Sequence, residues 1–257
     1  MKYSQSNPTS RPSSWLRYWI WIQILLHVIC GICKLSLLFP FLNREQKDCH
    51  IQQWSKKLLT IFNIQLHVIG ADKLPSSPYL LASNHISWLD IHVINAFKPV
   101  RFVAKSEVRG WPVFGWMAEQ LGTVFIRRDS ARHARAVVDQ MAQVLKLESV
   151  CIFPEGTSTT GATVLPFKPN LFESAILAHA PVFPIAIAYR LRSTGLRSDA
   201  PAFIGDMGLL ESMSNVIGKR DIEVHLSLIE PYMTAKVENS DRKELALYCQ
   251  DAITKAL

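Results

Sequence analysis

The sequence has little charge and little cysteine, and none of the glycine-rich signatures that cradle nucleotides. Charged residues make up 19% of its 257 positions against 49% hydrophobic, and the mean hydropathy is +0.12. That balance excludes a disordered chain. Eleven glycines and 14 prolines without a short period exclude collagen-like and low-complexity classes. Five cysteines, Cys30, Cys33, Cys49, Cys151 and Cys249, are too few and too scattered for a disulfide scaffold and are read as reduced. Cys30-Gly-Ile-Cys33 has redox spacing, and His27 precedes it on the same expected helix face, so a metal reading is conceivable. The apolar surroundings and the missing redox strand favour small packing residues instead. No G-x-G-x-x-G occurs. Gly156 and Gly161 have Walker spacing, but Ala162 and Thr163 stand where Lys and Ser/Thr are required, which rejects a P-loop. No repeat of solenoid length is present.

What the chain does have is positive charge: 28 Lys and Arg against 21 Asp and Glu, a net +7. Such a surface favours an anionic partner, whether phospholipid headgroups, phosphorylated small molecules or nucleic acid. Aromatics do not interleave with the Arg cluster and no nucleic-acid motif is visible, so no nucleic-acid partner is expected. The length suits one sizeable core with a small accessory segment.

Residues 1–13 read as a polar, disordered tail. From Trp15 to Leu42 the chain is apolar, and its longest charge-free stretch, Tyr18 to Cys33, covers 16 residues. As a helix that stretch spans about 24 Å, short of a hydrocarbon core of about 30 Å. A longer helix to Leu42 reaches across if Lys34 snorkels. A spanning helix and a helix pair lying in the interface both fit, and Trp15, Trp19 and Trp21 mark a headgroup boundary. A cleaved signal peptide fits poorly, because Gln23 and His27 interrupt the block and no small-residue cleavage site precedes Arg44. Residues 43–62 carry Trp54, Leu58, Leu59 and Phe62 at amphipathic helical spacing. The segment 14–62 is therefore expected to hold membrane-associated helices, and 63–257 the globular domain.

Beyond Asn63 the strand expectations are Ile64–Ile69, Tyr79–Ala82, Arg101–Ala104, Thr123–Ile126, Val150–Phe153, Val182–Tyr189 and Ile222–Ile229. Helices are expected near Trp88–Ala96, Val113–Leu121, Ala131–Leu147, Leu171–His179 and Asp241–Leu257, the last capped by Ser240. Ala134, Val137, Val138, Met141, Val144 and Leu145 form an apolar stripe. The alternation implies an α/β class with helices around a sheet.

Three segments carry chemistry. In Ser83-Asn84-His85-Ile86-Ser87-Trp88-Leu89-Asp90 a strand gives way to a helix, where α/β proteins gather active sites. His85 and Asp90 suit a base and its orienting carboxylate. Ser87 to Asp90 equally fits a helix capping box. Five residues on a straight helix place two side chains about 140° apart, so the chain must bend for them to meet. Val150–Gly161 is a buried strand releasing a polar loop, whose backbone N–H groups and hydroxyls suit an anion or polyol, with Glu155 available to hydroxyls; it also reads as an ordinary turn. Arg127, Arg128, Arg132 and Arg135 share a basic face, solvated or gripping a phosphate.

In order, these blocks resemble the 1-acyl-sn-glycerol-3-phosphate (lysophospholipid) acyltransferase family over residues of about 80 to 190. Asn84-His85-Ile86-Ser87-Trp88-Leu89-Asp90 fits its N-H-x-S-x-x-D block. Lys105 with Gly110-Trp111-Pro112, then Phe125–Arg128, resembles the second block. Phe153-Pro154-Glu155-Gly156-Thr157 fits the third, and Val182-Phe183-Pro184 the fourth. The resemblance implies a mixed sheet flanked by helices, and an acyl group passing from acyl-CoA or acyl-carrier protein to a lysolipid hydroxyl. The acceptor implied is 1-acyl-sn-glycerol-3-phosphate, giving phosphatidic acid in phospholipid biosynthesis; lyso-ornithine lipid or another lysolipid is the alternative. His85 and Asp90 would be catalytic. Asn84, Ser87, Lys105, Arg127, Arg128, Glu155, Gly156, Thr157 and Ser158 would bind substrate. No metal and no tightly bound cofactor are implied, and soluble thioester donors imply the cytoplasmic face of a membrane. Ser158 departs from the common F-P-E-G-T-R-S, removing one cation that Arg127, Arg128 or Lys168 would replace, or indicating an acceptor other than lysophosphatidic acid. A non-catalytic adaptor for anionic lipid is the alternative of another class.

Overall fold

Among the described residues the alternating β-branched runs become seven strands, with ends shifted by one or two residues. They are β1 (Gln65–Ile69), β2 (Leu80–Ser83), β3 (Arg101–Lys105), β4 (Val124–Ile126), β5 (Val150–Ile152), β6 (Val182–Leu191) and β7 (Ile222–Leu228). The computed structural model describes residues 12–126, 131–236 and 241–257, the side chains of 131–133 excepted. The helices are α1 (Ser14–Leu37), α2 (Arg44–Phe62), α3 (Leu89–Phe97), α4 (Phe114–Gln120), α5 (Ala131–Leu145), α6 (Glu173–Ala178), α7 (Leu209–Gly218) and α8 (Arg242–Ala256). Helix α7 is not anticipated by the sequence pattern. Two glycines bound it and Ser and Asn interrupt it, so its propensity is weak. Burial of Met213, Val216 and Ile217 holds it in place. Asp241 caps α8 through Lys243 N at 3.0 Å; Ser240, the expected cap, lies outside the described residues.

The sheet runs β1-β7-β6-β2-β5-β3-β4. β6, β2, β5, β3 and β4 are mutually parallel, β7 is antiparallel to β6, and β1 is parallel to β7. From β2 the chain leaves towards β3 and β4, while β5 and β6 return to flank β2. Strand β2 therefore stands at a switch point, where loops from both sides meet beyond the strand's carboxyl end.

Alternate side chains feed two cores on opposite faces. Leu81 joins Phe62, Ile94, Ile187 and Leu226 under α1, α2, α3 and α7. Leu80 and Ala82 join Met141, Phe172 and Ile253 under α5, α6 and α8. The buried face of α2 belongs to the first of these cores. Its start is fixed by a capping box, in which Asn43 accepts from Gln46 N and Gln46 accepts from Asn43 N, both at 3.0 Å.

Helix α1 buries a single stripe, Ile20, Ile24, His27, Gly31 and Leu35, against α2, α4 and α7. Gly31 is required there, since a Cβ would sit 2.9 Å from the Trp54 indole nitrogen. The opposite face leaves Trp15, Tyr18, Trp19, Leu25, Leu26 and Ile29 exposed. Cys30 and Cys33 lie on that outward side as free thiols while His27 turns inward. The packing role expected for these cysteines is thus overturned: the inward stripe falls at 27 and 31, and 30 and 33 point elsewhere.

Candidate active site

Residues 84–88 connect β2 to α3 without regular structure, and this bend lets His85 meet Asp90. His85 Nδ1 lies 2.9 Å from Asp90 Oδ2. The same oxygen accepts from Ile86 N at 2.7 Å and Ser87 N at 2.9 Å. Asp90 therefore both ties down the turn that leads into α3 and orients the imidazole. Its other oxygen accepts from the Tyr189 hydroxyl at 2.8 Å. Burial, followed by the nearby Asp90 charge, drives the Tyr189 phenol well above its usual range, so it remains a donor at working pH. Asp90 is wholly buried, whereas the His85 side chain is 22% exposed. With Nδ1 committed to the carboxylate, Nε2 is the nitrogen left for substrate.

The imidazole is further fixed by Phe153, which stacks on it at 4.1 Å and 19°. The loop after β5 clasps the backbone of His85. Glu155 Oε1 accepts from His85 N at 2.7 Å, and Oε2 accepts from Leu165 N at 2.9 Å. Desolvation of this carboxyl raises it above the usual carboxylate range. Thr159 N donates to His85 O at 2.9 Å. Gly161, at φ +72°, lies flat on Ile86; a Cβ there would come within 2.6 Å of Ile86 Cδ1.

The remaining residues expected at substrate divide into two groups. Lys105 and Thr157 are exposed and Gly156 is partly so. Lys105 ends β3 at the same sheet edge as His85, because β2, β5 and β3 are parallel. Asn84, Ser87, Glu155 and Ser158 have their polar groups engaged inside the protein. The Asn84 amide exchanges hydrogen bonds with the backbone of Ile187, at 2.9 and 2.8 Å. Ser87 Oγ accepts from Leu89 N at 3.2 Å. The Ser158 hydroxyl donates to the Phe203 carbonyl. These bonds hold the turn in shape, an arrangement the linear motif cannot convey. Arg127 and Arg128 lie outside the described residues.

Sequence reading missed Tyr189 and Phe153. Phe153 stands inside the third block, and a tyrosine ending an apolar strand signals a hydroxyl in need of a partner.

A parallel-stranded switch point that presents a histidine oriented by a buried carboxylate is an α/β arrangement suited to taking a proton from a hydroxyl. The acyltransferase family profile matches residues 65–188. The lyso-ornithine lipid O-acyltransferase of Pseudomonas aeruginosa is 37% identical over 205 residues, covering 79% of this chain and 76% of that protein. The 1-acyl-sn-glycerol-3-phosphate acyltransferase of Neisseria meningitidis is 34% identical over 210 residues, 81% of each chain. In fold, the chain matches the crystal structure of the 1-acyl-sn-glycerophosphate (LPA) acyltransferase PlsC from Thermotoga maritima. The TM-score is 0.68 at 21% identity, over 94% of this chain and 93% of that one. The chain belongs to the acyltransferase family and is an O-acyltransferase.

Proposed function

We propose that this enzyme acylates the free hydroxyl of a lysolipid, with His85 as general base. The observation that carries the reading is the 2.9 Å contact between His85 Nδ1 and the buried Asp90 carboxylate. His85 Nε2 takes the proton as the acceptor oxygen attacks the carbonyl of an acyl thioester, on CoA or a carrier protein. The C–S bond then breaks, and the imidazolium returns its proton to the departing thiolate. Lys105, Gly156 and Thr157 contact substrate, joined by Arg127 and Arg128.

Two acceptors fit this chemistry, 1-acyl-sn-glycerol-3-phosphate and lyso-ornithine lipid. Position 158 favours the second. Its side chain is a serine engaged with Phe203, so this loop offers no cation there to a phosphate dianion. Membrane attachment follows from α1, whose exposed face carries Trp15, Tyr18, Trp19, Leu25 and Leu26. The stretch Ser14–Phe41 is long and apolar enough to cross a bilayer. One whole side of α1 is nevertheless packed on the domain, which suits a helix lying in the interface. Because thioester donors are soluble, the active site faces the cytoplasm.

The test is thiol release from acyl-CoA and acyl-carrier protein by purified enzyme, with lysophosphatidic acid and lyso-ornithine lipid offered as acceptors. Acceptor-dependent release that falls by about 10³-fold or more in folded His85→Ala is the expected result. Undiminished turnover in that variant would remove His85 from the mechanism.

A further inference from the structure

A cavity of about 150 Å³ opens beside the His85 turn. Its lining includes Ile86, Thr160 and Gly161, together with Tyr189, the residue that donates to Asp90. Arg190, near the end of β6, and Arg197, from the segment after it, line it too. The two arginines face each other across a β-bridge. Arg190 donates to the Gly195 carbonyl, at 3.2 Å, and to the α-carboxylate of Leu257, at 3.4 Å. Arg197 has Asp199 at 3.3 Å, and its side chain is 43% exposed. Both arginines line the one cavity, where an oxyanion would gain charge-assisted hydrogen bonds from their guanidinium groups.

The location links this cavity to the reaction. Ile86 follows the base directly, and Thr159, which bonds to His85 O, precedes Thr160. The volume exceeds that of a few waters, at about 30 Å³ each. It suits a compact headgroup and is too small for an acyl chain. Ser158 gives the loop no cation, whereas Arg190 and Arg197 supply two against that same loop.

We propose that Arg190 and Arg197 form the subsite for the oxyanion of the acceptor's headgroup, holding the lysolipid so that its hydroxyl reaches His85. The inference rests on the reading of His85 as base in a lysolipid acyltransferase. The shared chemistry is an anionic oxygen cluster, the phosphate of lysophosphatidic acid or the carboxylate of lyso-ornithine lipid.

Steady-state kinetics with each acceptor in mixed micelles tests this on the full chain, using Arg190→Gln, Arg197→Gln and Arg190→Lys. Arg192→Ala is the control, since Arg192 pairs with Asp221 outside the cavity. Expected is a rise of about tenfold or more in acceptor KM for both Gln variants, with kcat and thioester KM within about twofold of wild type. Arg190→Lys recovers part of the loss and Arg192→Ala changes nothing. A rise for only one acceptor identifies the headgroup the subsite reads; a rise for both assigns it to the shared oxyanion. Arg197 lies on an exposed turn, so its variant tests the subsite even if Arg190→Gln fails to fold. Unchanged acceptor KM in folded Arg197→Gln, with wild type active and His85→Ala inactive, overturns the subsite and leaves the base in place. Wild type that releases no thiol with any acceptor overturns the reading of the base, and the subsite with it.

Discussion

Asp90 gathers four hydrogen bonds, from His85, Ile86, Ser87 and Tyr189. A buried carboxylate without such partners would be neutralised or expelled. Asp90→Asn replaces one accepting oxygen with a donor, opposing either the Tyr189 hydroxyl or the three groups on the other side. The expected outcome is a drop in kcat of about 10²–10⁴-fold, as the imidazole loses its preferred tautomer. Tyr189→Phe leaves that oxygen without its partner at a cost of about 1–3 kcal/mol. It should lower the urea midpoint and depress kcat far less than Asp90→Asn, because the His85 contact survives. Equal kinetic losses in both variants would mean that Tyr189 does more than hold the carboxylate. At this scale the H-x4-D pair is legible in the sequence. The commitment of Asn84 and Ser158 to Ile187 and Phe203 is not, because those partners lie 103 and 45 positions away.

Between the helices, His92 on α3 sits against Trp54 of α2 at 5.2 Å and the Trp88 ring at 5.8 Å. Its Nδ1 is sealed from solvent with no hydrogen-bond partner among the described residues. Burial first, then the nearby His27, lowers its pKa from 6.5 to about 3. The unfolded chain therefore binds a proton below pH 6.5 that the folded protein refuses. The stabilising contribution of neutral His92 is full above pH 6.5 and is lost as pH falls towards 3, by at most about 1.4 kcal/mol per pH unit. Urea unfolding between about pH 7 and pH 4 should show a steeper loss in wild type than in His92→Phe. Parallel curves would mean that His92 protonates freely in the folded state. Element boundaries were largely readable, because apolar periodicity and turn residues are local signals. Helix α7 escaped because its stability comes from the core it covers, Val216 and Ile217 being wholly buried.

For the whole molecule, the position of α1 decides topology. In the interfacial arrangement proposed above, a helix packed on α2, α4 and α7 would keep both of its ends near the domain, on one side of the bilayer. Tags placed before Ser13 and after Leu257 should be cleaved by protease from the same side of sealed vesicles; cleavage from opposite sides would establish a spanning helix. Replacing Trp15, Tyr18 and Trp19 together with Ser should weaken vesicle flotation by about tenfold or more. Thioester turnover on micellar acceptor should be retained, because these residues lie on the outward face.

By itself the sequence determined the strands, most helices, the apolar N-terminal segment and the His85–Asp90 pair. Each is written in local periodicity, or in residues a few positions apart. Tertiary structure alone decided the strand order and the antiparallel β7. It alone brought Tyr189 to Asp90 and Phe153 to His85, and Arg190 to Arg197 across a β-bridge. The Tyr189 and Phe153 contacts join segments distant along the chain, and burial of apolar faces on both sides of one sheet selects them, with no linear motif to announce them.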